Sequence, residues 1–161
     1  MSQPGRIDSF QFARSGSGLT GRLGVEQLSR LAEQKVTLHE LSYDLRGGTN
    51  RSGRLCLNLE VRGGLTLICQ RCLGQLDFPL NFAAELELAT SREEVELADD
   101  DVDRVLGSSE LSVSDLVEDE VLLELPMVPR HESCGPSKEA GKSGRASPFE
   151  ALARLKVGGD R

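Results

Sequence analysis

From Arg54 to Val61 the chain alternates without a fault, with Leu55, Leu57, Leu59 and Val61 on one side and Arg54, Cys56, Asn58 and Glu60 on the other. A period of two puts successive side chains on opposite faces of an extended strand, so this segment reads as a half-buried strand. A sheet wet on one face is characteristically antiparallel, so the rest of the chain must supply strand neighbours and a cover for the apolar face.

The neighbours are legible on both sides. Val36-Thr37-Leu38 begins a strand whose apolar phase slips at His39-Glu40 and resumes at Leu41, Tyr43 and Leu45, a slip that predicts a β-bulge. Residues 47–53 are rich in Gly, Asn and Ser and read as a loop. Gly63-Gly64 predicts a tight hairpin that returns the chain as Leu65 to Cys69. Leu76, Phe78, Leu80 and Phe82 then share one face, and Pro79, which has no N–H to give to a ladder, predicts a strand edge or a bulge.

Helical signals are fewer. Val25, Leu28, Leu31 and Ala32 mark one face of a short amphipathic helix over about 25–34. Leu111 to Leu125 carries an apolar stripe, has Ser112 or Ser114 as a cap, and stops at Pro126, with its acidic residues near the positive end of the helix. Phe10-Gln11-Phe12 predicts a short edge strand near the N-terminus. The fold class is therefore α+β: a partly curled antiparallel sheet of four to six strands, with a short N-terminal helix and an acidic helix near 114–125. Alternation alone does not decide whether the sheet closes into a barrel.

Charge is blocked along the chain. Residues 1–80 carry ten Lys/Arg against seven Asp/Glu, residues 81–129 two against fifteen, and residues 130–161 seven against four, within a net charge of −7. Self-repulsion in the acidic block predicts a solvated, mobile loop over about 92–110. The expected organisation is one α+β domain over 1–134, a flexible linker over 135–148, and a short helical segment over 149–157 carried by Phe149, Leu152 and Leu155. No apolar run of membrane-spanning length and no signal-peptide core is present in the sequence, so the expectation is a soluble, cytoplasmic protein without a membrane partner.

Two short motifs stand out chemically. Cys69-Gln70-Arg71-Cys72 is a C-x₂-C, and His131-Glu132-Ser133-Cys134 an H-x₂-C. Thiolates and an imidazole in two pairs at this spacing suit the tetrahedral coordination of zinc. Three other readings stand beside it. Cys69 continues the inward phase of Leu65 and Leu67 and so reads equally as a small buried apolar residue. The C-x₂-C at a strand end can also be a structural knuckle between strands. A redox dithiol lacks the helix start that lowers a thiol pKa. Cys56 has no partner by spacing. An enzyme would need an open coordination position and a base, and neither is marked, so thiol or metal catalysis is an alternative of another class.

Arg51, Arg54, Arg62 and Arg71 are candidates for a basic contact patch, and Asp115, Glu118, Asp119 and Glu120 for an acidic partner-binding helix. Tyr43, Phe78 and Phe82 occupy inward phases, which leaves few aromatics to stack on bases. An acidic block repels phosphate and would be steered instead to a basic protein.

The series Cys69-Gln70-Arg71-Cys72-Leu73, Asp115-Leu116-Val117-Glu118-Asp119-Glu120, Leu125-Pro126-Met127-Val128-Pro129-Arg130-His131, Cys134 and Pro148-Phe149-Glu150-Ala151-Leu152 resembles, in the same order, the bacterial YceD family, also called DUF177. These are the large ribosomal RNA subunit accumulation proteins. The resemblance implies a role in accumulation or processing of 23S ribosomal RNA, hence in assembly of the large ribosomal subunit; with no enzyme chemistry marked in the residues, the expectation is a non-enzymatic factor. The partner would be the large-subunit precursor, with 23S rRNA met directly or through a ribosomal protein or assembly factor. A zinc-stabilised RNA-binding module is the alternative within that setting.

Overall fold

The computed structural model describes residues 5–34, 36–98 and 101–135. In chain order the elements are β1 (Arg6–Ile7), α1 (Ser9–Arg14), β2 (Gly18–Leu23), a 3₁₀ turn (Val25–Gln27), α2 (Ser29–Glu33), β3 (Thr37–Thr49), β4 (Leu55–Ile68), β5 (Gln75–Ala89), α3 (Arg92–Glu96), β6 (Arg104–Leu106), β7 (Leu111–Ser112) and α4 (Val113–Glu124). Five strands form one open sheet in the order β2-β3-β4-β5-β6, antiparallel except for the β5–β6 pair, and β1 pairs with β7 beside it. The mixed α+β class agrees with the alternation. The sheet has two edges, β2 and β6, and is not closed into a barrel.

The apolar phase packs as one core. Leu41, Tyr43 and Leu45 of β3, Leu57, Leu59, Val61, Leu65 and Leu67 of β4, and Leu80, Leu86 and Leu88 of β5 are buried together with Leu28, Leu31, Val113, Leu116, Val117 and Val121. Helices α1, α2 and α4 thus cover one face, and the alternate residues Asn58, Glu60 and Arg62 stay exposed on the other. Burial of a leucine or valine side chain contributes about 1.5–3 kcal/mol, which is why the period-two pattern dominates the fold.

Several expectations give way to tertiary packing. Gly63-Gly64 is not a hairpin: β4 runs straight through it, with Gly63 between Leu41 and Leu80. A Cβ on Gly63 would press on the main-chain oxygen of Glu40, at the register shift that β3 makes between Leu38 and Glu40. The expected bulge is therefore present, and Gly63 is the residue that fits against it. Likewise β3 continues to Thr49, and a Cβ on Gly47 would meet the Phe12 carbonyl oxygen of α1. The turn itself is short, because Asn50 Oδ1 accepts the N–H groups of Ser52 and Arg54, and Gly53 takes φ 77°.

Phe10-Gln11-Phe12 is helical rather than extended, since Asp8 caps α1 by accepting the Gln11 N–H and Phe10 and Phe12 pack on the core. The helix expected at 25–34 is split by Leu28 into a 3₁₀ turn and α2, leaving Val25 and Ala32 exposed. Ser112 caps α4 as expected by accepting the Asp115 N–H.

The acidic stretch 92–110 is not loop throughout, because it holds α3 and β6. Ser91 caps α3, and Arg104, just beyond the carboxylates, bonds Glu87 of β5 and the Glu94 carbonyl oxygen. The expected linker beyond residue 135 and the helical segment 149–157 lie outside the described residues.

Candidate metal centre

β4 and β5 are joined by Cys69–Gly74. The link is closed by Cys69 N–H to the Gly74 carbonyl and by Leu73 N–H to the Cys69 carbonyl, both 2.9 Å. Leu73 takes φ 59°, alone among the described non-glycine residues, so the C-x₂-C is the tight connection between the two longest antiparallel strands. After α4, Leu125 turns extended and the proline-rich segment runs back under this knuckle, where the Pro129 carbonyl accepts the Gln70 N–H at 2.8 Å. Two distant motifs therefore meet because one closes a strand pair and the other is pinned to it.

The meeting is close. The sulfurs of Cys69, Cys72 and Cys134 and a ring nitrogen of His131 all lie within 4.8 Å of one another. Cys69 Sγ is 3.7 Å from Cys134 Sγ, and Cys72 Sγ is 3.3 Å from His131 Nδ1. Ligands at about 2.0–2.3 Å from a tetrahedral ion stand about 3.3–3.8 Å apart along each edge, so the group is sized for one metal ion. These four residues could hold it, with Cys69 buried and the other three half-buried.

The surroundings favour the thiolate at Cys69 and Cys134, whereas at Cys72 the Gly74 N–H is outweighed by burial and by the neighbouring sulfurs of Cys69 and Cys134, which raise the thiol. Burial opposes ionisation of Cys69, but the main-chain N–H groups of Cys72, His131 and Arg71 around its sulfur outweigh it and bring the thiol down to about 5. Burial also opposes ionisation of Cys134, and the Arg71 guanidinium, whose Nε donates to its sulfur at 3.0 Å, lowers it. Arg71 Nη2 also donates to the His131 carbonyl at 2.9 Å. His131 Nε2 lies 2.8 Å from the Gln75 carbonyl, a bond that keeps the proton on Nε2 and leaves Nδ1 free to ligate. A Cβ on Gly74 would stand 3.4 Å from Cys72 Sγ, so the knuckle is tight on that side as well.

The other candidates disperse. Arg54 and Arg71 stand at opposite ends of β4, whose fourteen residues span about 45 Å at roughly 3.3 Å each. Arg54 faces Glu87 and Glu94, Arg62 pairs with Glu60, and Arg51 is exposed in the β3–β4 turn. The four arginines do not form one patch. On α4, Asp115 and Asp119 are exposed and Glu120 half-buried, but Glu118 is 2 % exposed and bonds Leu31 N–H and Arg30. Its carboxylate holds α2 to α4 and is not on offer to a partner.

The remaining histidine does not assemble a nucleophile. His39 Nε2 is 2.6 Å from the Thr66 hydroxyl, which donates to Asp77 at 3.1 Å. A catalytic order needs the carboxylate on the imidazole and the imidazole as proton acceptor, and here the carboxylate already takes the hydroxyl proton. Cys56, placed on the wet face by alternation, is buried there beside Asn58, and burial raises its thiol pKa. The supporting contacts from Gln70, Gln75 and Arg71 were not marked as such by spacing; only the Arg inside the C-x₂-C hinted at one of them.

No helix among the described residues is long and apolar enough to cross a membrane. No curated protein and no solved structure matches the chain. The family model for the large ribosomal RNA subunit accumulation protein YceD matches residues 57–156, which takes in most of β4, all of β5 and α4, and all four candidate ligands. That span is well over half of the sequence, and the chain belongs to the YceD family of large ribosomal RNA subunit accumulation proteins.

Proposed function

We propose that the chain is a non-enzymatic, cytoplasmic assembly factor that promotes accumulation of 23S rRNA by contacting a protein on the large-subunit precursor. In this reading residues 1–134 act as one unit, with a structural zinc ion at Cys69, Cys72, His131 and Cys134 fastening the segment after α4 to the end of the sheet. The observation that carries the role is the family match over 57–156. The Cys₃His group supports a structural rather than catalytic ion, because four protein ligands close a tetrahedron and leave no position for substrate.

A protein contact is favoured over direct RNA binding by the scatter and pairing of the arginines and by the acidic block between residues 81 and 129. Depletion of the protein in growing cells tests the role. The ratio of 23S to 16S rRNA is expected to fall and to recover when the wild-type gene is restored; an unchanged ratio overturns the reading. Salt-sensitive binding of the purified protein to 23S fragments, without any ribosomal protein, would overturn the protein-contact part alone.

A further inference from the structure

β5 is fifteen residues long, yet β6 pairs with it only at Glu87, Leu88 and Ala89. The Glu87 N–H donates to the Asp103 carbonyl and the Ala89 carbonyl accepts from Gly107, so odd-numbered residues turn their main-chain groups away from β4. The β4–β5 register is unbroken from Ile68↔Gln75 to Cys56↔Glu87, so the same parity holds along the whole strand. Asn81, Ala83 and Glu85 therefore present their N–H and C=O groups outward. Among the described residues none of these groups has a main-chain partner on that side, and all three residues are exposed. Pro79 falls in the same outward series, where its missing N–H costs no ladder bond.

A groove runs along this edge between β5, the Asp101–Asp103 segment and the end of α4. Its carboxylates are Glu85, Asp101, Asp103, Glu120 and Glu124, and Leu123 stands in it 78 % exposed. Glu87 also borders the groove but is already satisfied by Asn50 and Arg104, and Arg51 is the only basic side chain among the described residues that line it. Burial pushes the Glu120 carboxyl above its ordinary value, and the charges of Asp103 and Asp119 add to the shift.

We propose that the β5 edge from Asn81 to Glu85 is a docking strand for an extended, basic peptide segment of a protein partner. The peptide adds alongside β5 in line with β6, its main chain bonding Asn81, Ala83 and Glu85, its Lys or Arg side chains reaching the groove carboxylates, and an apolar side chain resting on Leu123. Nucleic acid is the poorer occupant, because its phosphates would meet the same carboxylates. The biological setting rests on the proposed protein-contacting role, whereas the binding itself rests on the strand geometry.

The test uses the full chain and a fluorescent peptide of about ten residues, a strand's length, alternating Lys with Val. Anisotropy should show binding that weakens steeply with salt. Methylating alternate peptide nitrogens keeps the charge but removes main-chain donors, and one of the two methylation phases should weaken binding by at least about tenfold. Ala83→Pro, which copies Pro79 two outward positions on, should weaken binding by a similar factor with the melting temperature little changed. No binding by the unmodified peptide overturns the proposal, as does equal binding in both methylated phases, which would mean contact by charge alone. If Ala83→Pro fails to fold, the methylated peptides decide. An unaltered rRNA ratio on depletion would remove the setting and leave the peptide result standing, so the two readings fail separately.

Discussion

The carboxylate of Glu118, in the middle of α4, accepts the main-chain N–H of Leu31 at 2.9 Å while its second oxygen takes Arg30 Nε at 3.0 Å. One buried acid thereby satisfies the start of α2 and locks two helices that share the same core. The acidic run of α4 is thus divided by the helical period into one structural carboxylate and an exposed remainder.

Glu118→Gln retains an acceptor for Leu31 but turns an amide NH2 toward the Arg30 Nε donor and loses the ion pair with that half-exposed arginine, so it should cost about 1–2 kcal/mol. Glu118→Ala strands the buried N–H and should cost about 2–4 kcal/mol. Urea denaturation of both variants checks the ordering. Equal losses would mean that the bond to Leu31 contributes little.

Gly63 and Gly64 should behave as opposites. Alanine at Gly63 must displace the Glu40 carbonyl or the strand carrying it, and a loss of about 1–3 kcal/mol is expected. At Gly64 the nearest atom to a new Cβ is His39 Cδ2 at 3.9 Å, so Gly64→Ala should be neutral or gain up to about 1 kcal/mol from reduced chain entropy. Thermal melts decide it, and a loss of similar size in both variants would contradict the continuous strand.

The same pair shows what was legible in the sequence. Alternation identified the two halves of β4 as extended, the core face of β3 and β5, and the bulge at His39-Glu40, because period-two burial is a local signal. Gly-Gly was misread as a turn because its cause, the approach of Glu40 from a neighbouring strand, is not local. Phe10-Gln11-Phe12 alternates like a strand but forms a helix, because the Asp8 cap and the close approach of the Phe12 carbonyl to Gly47 belong to the tertiary packing. At the candidate metal centre the spacing picked out the four residues that the fold brings together. Their meeting depended on the Gln70–Pro129 bond across the chain, which no spacing encodes.

Acid should unpick the far end of the sheet through Glu87. Burial resists ionisation of this carboxyl, but hydrogen bonds from Arg104 and Asn50 and the charges of Arg104 and Arg54 prevail and hold it below its ordinary value of 4.5. A group depressed in the folded state contributes stability that is fully present above the unfolded value and is lost as pH falls from there through the folded one. Glu87→Gln should therefore be less stable than wild type by about 3 kcal/mol at neutral pH, with Arg104 left partly uncompensated. The gap should close as the pH drops below 4.5. Denaturant midpoints across that range provide the check, and a gap independent of pH would assign the loss to packing.

Arg71 provides the sharpest test of the metal reading, because it touches the ligands without being one. Protein purified without chelator should carry about one zinc per chain, with Cys72→Ser losing it and Cys56→Ser keeping it. Arg71 orients two parts of the group at once, through Cys134 Sγ and the His131 carbonyl, and both bonds use its forked guanidinium. Arg71→Lys keeps the charge and cannot make both bonds in that geometry. Arg71→Lys and Arg71→Ala should thus each start with a full complement of zinc and release it to a competing chelator about ten times faster than wild type, the scale on which supporting contacts tune a bound metal. Wild-type release rates in both variants would reduce Arg71 to a bystander. Chain without zinc whose melting temperature is unmoved by chelator would remove the metal altogether.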